Sequence, residues 1–578
     1  MKFQLITSYS SQRVNGPKLY MGHWCKEIQN LSLIERRKKK INIYNLKKSE
    51  KEFLQNKIKF LEEKLIIILT SIFNQKFRLN YKKNYYEIIF KHWLRRYISV
   101  FINRLYNTKD CIKKNKDHIS KIHLNPVLNI NPPKNSEEAI RYFDLHEVND
   151  WIYKICFQEL KFNKPIILNE KKINFKYSFK KIGLLNKFIN FVNNIIISFS
   201  KNDKIFIMNS YLGICEEIKL NISFFQFPKI YKDVPIRPKK SNFNLRNFLK
   251  SELLKFCENK EEKFICKYLF DFMPISYIEN FENYRNIIDK INWPKNPRVI
   301  FTSNSFDTNE TFKYYTAEIK SRKKCKYIIG QHGAGYNLND DKFTHVEREI
   351  SDHTIVWGRK INLNDISGCV LKRYPLADIN NNKKFIIISP FLDFRINFFD
   401  SHNEFLNQYN FQINFLNQIK RYGKDKFTLR LKHNKEMSIK VHFKDVLKFK
   451  NIKIDLCEKK FENVFNKYNL VICFYLSTVF LEMISINYPV ILCVTDTKNI
   501  PKKYKKLFKK LKEIGVIHSN EFTLVKFLDN NHKNISKWWF KDLNQSYLKE
   551  FRKEFCRERN IFKVKKIIKS SSEKNNHI

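Results

Sequence analysis

This sequence of 578 residues is defined first by what it lacks. It has 12 cysteines but no C-x-x-C pair, and the nearest two, Cys257 and Cys266, stand nine positions apart. No zinc-binding spacing is present. Scattered cysteines in a large chain read as reduced thiols, so a cytoplasmic location is expected. The longest apolar stretches, 65–73 and the interrupted 188–199, fall short of the ~20 residues a spanning helix needs. The start, Met1-Lys2-Phe3-Gln4, turns polar too soon for a secretory signal. There is no D-x-D pair of the kind that holds a metal–diphosphate complex, no Walker loop and no G-x-S-x-G elbow. Metal-independent chemistry without a resident cofactor is the expectation. Glycine and proline are rare, at 11 and 15 residues, and acids are outnumbered 57 to 109.

The resulting net charge of +52 invites a nucleic-acid reading, because a basic face releases counterions from phosphates. The lysines, however, run along the whole chain and form no single stripe. With few Gly and Pro and abundant Lys, Asn, Ile and Phe, this is the pattern of drift in an AT-rich genome. The share of charge that does have a function points to anionic partners. These are a nucleotide, an anionic lipid-linked acceptor, or the inner face of the cytoplasmic membrane, where each nearby Lys is worth about 1 kcal/mol. A basic nucleic-acid-binding protein remains the alternative.

Hydrophobic residues make up 43% and aromatics 15%, which is a globular composition. At roughly 150 residues per domain the length predicts two to four domains. Residues 1–8 read as a buried strand. Residues 31–115, 136–200 and 242–290 read as helical, broken by Pro126, Pro132 and Pro133 and by a short strand at 204–209. From 297 the pattern changes to short apolar runs between amphipathic segments: 298–302, 326–330, 354–357, 384–389, 427–431, 470–473 and 490–494. Such runs predict parallel sheets covered on both faces. The Asn-rich stretch before Lys384 predicts a hinge between two of them. The expected organisation is an N-terminal lobe over 1–375 with a helical insertion over about 31–290, a second lobe over 384–535, and a C-terminal helix and basic tail over 536–578. In open parallel sheets ligands sit beyond the carboxyl ends of the strands.

Four loops at such ends could carry chemistry. Gly330-Gln331-His332-Gly333-Ala334-Gly335 combines glycines that let a ligand approach the backbone with a histidine able to act as base at neutral pH. A loop histidine bonded to backbone is the plain reading. Ser303-Asn304-Ser305-Phe306-Asp307 is dense in small polar groups and is either a ligand loop or a helix cap. Ser477 and Thr478 precede a helix whose N-terminus would hold an anion, with Glu482 one turn on. A simple cap with a solvated Glu competes with that. Lys432 and His433, after the 427–431 strand, offer donors for a diphosphate or form a solvated basic turn.

These residues carry a resemblance. Leu5-Ile6-Thr7-Ser8, Gly22-His23-Trp24-Cys25, Asn149-Asp150-Trp151, Ser210-Tyr211-Leu212, the 302–307 and 330–333 blocks, Trp357-Gly358, Ser477-Thr478 to Glu482, Asn487-Tyr488-Pro489 and Trp538-Trp539 resemble, in order, the blocks of a bacterial transferase family encoded with surface-carbohydrate (O-antigen and lipopolysaccharide) genes. His23 stands where that family has an acid, and Ala334 where it has a glycine. More distantly, the chain is similar to teichoic-acid glycerophosphotransferases and capsular ketodeoxyoctonate transferases. That resemblance implies a GT-B-like α/β fold of two Rossmann-like lobes with a cleft between. It implies transfer of a sugar or sugar-like (polyol-phosphate included) unit from a nucleotide-activated donor, a cytidine nucleotide among the candidates, to a polysaccharide or lipid-linked acceptor. Carried over, His332 is the base, and Lys432, His433, Ser477, Thr478 and Glu482 bind the donor. Gln331, Gly333, Gly335, Ser303, Asn304, Ser305 and Asp307 line the cleft. A non-catalytic scaffold of a polysaccharide assembly complex is the further alternative.

Overall fold

The computed structural model describes residues 2–8, 16–22, 25, 40–41, 48–124, 131–143, 145–168, 195–234, 236–338, 345–375, 384–390, 402–423, 426–431, 446, 448–495 and 500–573. Within these the chain is α/β, and its strands form three parallel sheets. Sheet A contains β1 (Phe3–Ile6), β2 (Lys18–Tyr20), β3 (Lys40–Ile41), β4 (Ile119–Leu124) and β5 (Ile166–Leu168), in the order 3-2-1-4-5. Sheet B contains β6 (Ile205–Ile207), β7 (Val299–Thr302), β8 (Lys326–Gly330), β9 (His353–Val356) and β10 (Asp365–Ser367), side by side in sequence order. Sheet C contains β11 (Phe385–Ile388), β12 (Phe427–Arg430), β13 (Lys453–Asp455), β14 (Leu470–Cys473), β15 (Val490–Cys493) and β16 (Ile517–His518), in the order 13-12-11-14-15-16.

That last order is 3-2-1-4-5-6, the doubly wound Rossmann arrangement, whose direction reverses between β11 and β14. The strands at this point, FIII and LVIC, are buried along their whole length. Both of their faces are covered by other elements, as residues apolar on both sides require.

The stretch 31–290, expected as a helical insertion, is more than that. It is dominated by helices, including α1 (Lys48–Phe77), α2 (Lys83–Asn115) and α3 (His146–Glu159), but it also supplies β3 to β6. β6 corresponds to the strand expected at 204–209. β4 and β5 have no such signature: ISKIHL carries charged and polar residues among its apolar ones, and β5 is an exposed edge strand. The hinge expected before Lys384 lies at 376–383, outside the described residues.

Sheets B and C are joined twice. The chain crosses once through Val370, Leu371 and Tyr374, which belong to one apolar cluster with strands of both sheets. It returns through α7 (Asp542–Phe555) and α8 (Ile561–Glu573), which follow α4 (Glu310–Arg322), α5 (Thr478–Ser485) and α6 (Lys505–Glu513) in the chain. Arg557 N donates to Trp357 O (2.9 Å), and Val370 N donates to Arg557 O (2.9 Å). At Gly358 a Cβ would run into the backbone of Glu554, so this crossing requires glycine there.

Candidate active site

The loop after β8 is built tightly. A Cβ at Gly330 would lie 2.6 Å from Leu371 Cδ1 and would strike Ser303 Oγ, so any other residue there must displace these buried side chains. Gln331 is a builder of this loop. Its Oε1 accepts from Trp357 N (2.8 Å), its Nε2 donates to Gly333 O (2.7 Å), and its carbonyl accepts from Trp357 Nε1 (3.0 Å).

His332 follows, half-buried, with Phe306 and Tyr336 ring centroids 5.6 and 5.7 Å away. Its Nδ1 lies 3.0 Å from Tyr336 Oη, and the Tyr336 hydroxyl in turn interacts with the Glu347 carboxylate, which helps to raise its pKa. Burial alone would raise the Glu347 carboxyl, but His345, whose Nδ1 lies 3.4 Å from Oε1, and His332 carry it down to about 2. An ionised carboxylate only accepts, so the Tyr336 proton goes to Glu347 and the Tyr336 oxygen accepts from His332 Nδ1–H. This leaves the lone pair on Nε2, which has no hydrogen-bond partner among the described residues. Burial lowers the His332 pKa below its usual value, so the ring is neutral at pH 7.

The loop after β7 is mostly structural. Thr302 Oγ1 accepts from Asn304 N and Ser305 N (3.3 and 3.0 Å), Ser303 Oγ donates to Ser210 O (2.9 Å), and Ser305 Oγ accepts from Asn209 Nδ2 (2.8 Å). Asn304 is exposed. Asp307 receives a two-pronged grip from Arg96 (2.9 and 3.0 Å) and meets His92 Nδ1 at 2.5 Å. Burial would raise the Asp307 carboxyl, yet Arg96 and His92 hold it well below the carboxylate range. Buried Lys313 of α4 braces the same loop through Asp307 O (3.3 Å).

Opposite stands α5. Ser477 is buried and its Oγ accepts from Phe480 N (3.2 Å), so its side chain caps the helix. Thr478 is half-buried, and its Oγ1 lies 3.6 Å from where a Cβ on Gly333 would be. The two loops expected to share a ligand therefore come close to one another. Glu482 is otherwise engaged: it is buried, accepts from Tyr374 Oη, and lies 3.8 Å from Lys372 Nζ. Burial raises its pKa. Its carboxylate fastens the inter-sheet crossing to α5. A Cβ at Gly335 would lie 3.7 Å from the His345 ring. Lys432 and His433 lie outside the described residues. Arg430, just before them, is tied to Asp455 and to Lys459 O (2.5 Å).

A model of the LIC12162 family of transferases matches residues 3–569, nearly the whole chain. The chain belongs to the LIC12162 transferase family. No curated protein matches its sequence. Among solved structures it resembles UDP-GlcNAc 2-epimerase from Neisseria meningitidis bound to UDP-GlcNAc, at 11% identity over 64% of this chain and 99% of that one (TM-score 0.33). It also resembles TarM, at 12% identity over 48% and 54% (TM-score 0.28), and Acinetobacter baumannii MurG, at 8% over 64% and 99% (TM-score 0.28). At such scores the fold rests on the strand order described above.

Sequence reasoning gave no role to several residues of this LIC12162 family transferase: Tyr336 and Glu347, which lie beside His332, and His92 and Arg96, which hold Asp307. His92 and Arg96 are spaced i,i+4 on α2, a signal visible in the sequence. Glu347 lies too far along the chain from His332 for any periodic trace. A group of three carboxylates, Glu62, Glu63 and Glu349, has oxygens within 4.8 Å of one another. The protein's own cations already occupy it. Arg95 Nε donates to Glu62 (2.6 Å), and Lys91 Nζ reaches Glu63 (2.8 Å) and Glu349 (3.1 Å). The group fastens α1 to α2 and to the segment after Glu347.

Proposed function

We propose that this transferase moves a sugar or sugar-like unit, polyol phosphate included, from a nucleotide-activated donor to a surface-polysaccharide acceptor. The observation that carries the reading is the close approach of the His332 loop, at Gly333, to Thr478 at the N-terminus of α5. This approach supports a reading in which the neutral His332 imidazole works beside an anion held at the helix N-terminus. In this reading residues 1–375 form the acceptor side and 384–535 the donor side, with 536–578 tying the two together.

The donor's phosphates rest on the first N–H groups of α5 and on Thr478 Oγ1, beyond the β11/β14 reversal. His332 Nε2 takes the proton from the acceptor hydroxyl as that oxygen attacks. Positive charge then moves onto the imidazolium, which the Tyr336–Glu347 chain stabilises through Nδ1–H. The leaving phosphate is held by helix N–H groups and by Lys432 and His433. Ser477 and Glu482 act on the donor through the helix they cap and anchor.

Thermal unfolding of the protein with CMP, CDP, UDP, GDP and ADP, with and without EDTA, tests this reading. One nucleotide class should raise the melting temperature through linkage, and EDTA should not remove the shift. No shift with any nucleotide, alongside a shift with an oligonucleotide at low salt, would replace the transferase mechanism with nucleic-acid binding.

A further inference from the structure

Although lysines run along the whole chain, one described stretch is unusually dense in them. Seven lysines fall within the eleven residues 502–512, whereas Lys and Arg together make 109 of 578, which would place about two in such a window. Lys502, Lys503, Lys505, Lys506, Lys509 and Lys512 are exposed. In α6 the 100° step per residue sets Lys505, Lys506, Lys509 and Lys512 on the arc opposite Leu507, Phe508 and Leu511, which are buried in the core. Lys510 pairs with Glu550 (2.6 Å), and Glu513 is the exposed acid of the helix.

Apolar side chains stand at the end of this arc. α7 runs antiparallel to α6, with Tyr504 against Phe555 (4.5 Å between ring centroids) and Phe508 against Phe551 (5.8 Å). Trp538 Nε1 donates to Ile514 O (2.8 Å), which brings the next turn of chain out beside the C-terminal end of α6. There Phe540 is 50% and Leu543 57% exposed.

We infer that this surface docks the protein on an anionic bilayer, with the lysines of 502–512 on the headgroups and Phe540 and Leu543 entering the interface. Clusters of four to eight lysines give attraction of this kind, and apolar side chains beside them add insertion. Nucleic acid fits less well. The window contains no arginine for bidentate phosphate contacts, and its aromatic residues, Tyr504 and Phe508, are buried and offer bases no stacking face. The inference does not depend on the transferase mechanism, because it concerns lysines and apolar residues outside the His332 loop and the start of α5 and is tested without substrate.

The full chain is sedimented with phosphatidylcholine vesicles containing about one-third phosphatidylglycerol, and with phosphatidylcholine alone, at about 0.1 M salt. The expected result is binding to the anionic vesicles only. Substituting Gln for Lys502, Lys503, Lys505, Lys506, Lys509 and Lys512 together should weaken it at least about 30-fold. Phe540→Ser with Leu543→Ser should weaken it about tenfold. Gln at six exposed lysines elsewhere (239, 240, 260, 263, 267 and 290) should change it less than about threefold. An unchanged melting temperature certifies the fold of each variant. Wild-type protein that ignores anionic vesicles, a 502–512 variant that binds like wild type, or an equal loss from the distant lysines would overturn the inference. So would protein that binds an oligonucleotide through these lysines but no vesicle.

Discussion

The loop after β8 and the loop after β14 face each other, and each presents small polar residues at the carboxyl end of a buried strand. They use those residues in opposite ways. In the first, Gln331 is spent on the backbone of Trp357 and Gly333, and this frames a histidine whose Nε2 is left open. In the second, Ser477 is spent on its own helix and Glu482 on Tyr374 and Lys372, which leaves Thr478 and the helix N–H groups. A loop that supplies a side chain for chemistry needs other side chains to hold it still. A loop that supplies a backbone anion site spends its side chains on the helix itself.

The largest effect expected from this contrast is at His332. His332→Ala should lower turnover by about 10²–10⁴-fold, the range for loss of a general base, with nucleotide-induced stabilisation retained. Loss of the nucleotide shift together with turnover would move His332 to the donor side and erase the distinction between the loops.

Next comes acid stability. Glu347 drops from an ordinary 4.5 to about 2 on folding. A depressed carboxyl stabilises the fold above its unfolded pKa and loses that contribution as pH falls through the folded one. The window is therefore about pH 4.5 down to 2, and the contribution is on the order of 3 kcal/mol. Glu347→Gln should flatten this part of the stability–pH curve as followed by urea unfolding. A curve that keeps its full slope would remove Glu347 from the relay.

The third effect is Tyr336→Phe, which breaks the hydrogen-bond chain but keeps the ring. Turnover should fall about 10–100-fold, as for loss of an orienting partner. The nitrogen-15 spectrum of His332 should lose its preference for the Nδ1–H tautomer. An unchanged tautomer would mean that Tyr336 only packs against the ring.

How far these features could be read from sequence follows the same division. FIII, LVIC and VILC announce sheet C because residues apolar on both faces have no other stable home. β3 and β5 left no comparable sign, being short and at the edges of sheet A. His332 was legible because glycines frame it. Tyr336 stands only four positions on, but no spacing rule marks a tyrosine as the partner of a loop histidine. Glu347 and the grip of Arg96 on Asp307, across 211 positions, leave no local pattern. For Ser477 the cap was one of two readings open in the sequence, and it is what the hydrogen bond shows; Glu482, expected as a ligand or as a solvated acid, is buried against Tyr374. A cap and a ligand-binding loop share the same letters, and only the positions of Phe480 N and Tyr374 Oη separate them.

The smallest effect separates the two neighbours at the start of α5. Ser477→Ala removes a cap and should cost about 1 kcal/mol of stability while leaving nucleotide affinity nearly unchanged, because the N–H groups remain. Thr478→Ala removes a hydroxyl that faces the His332 loop and caps nothing. It should leave stability within about 0.5 kcal/mol and weaken nucleotide binding several-fold, the scale of one hydrogen bond to a charged group. The pair is read by measuring melting temperature and nucleotide affinity on both variants. If Ser477→Ala proves to be the variant that loses affinity, the cap is also a ligand contact. The division of labour between the two loops would then be less sharp than their hydrogen bonds make it.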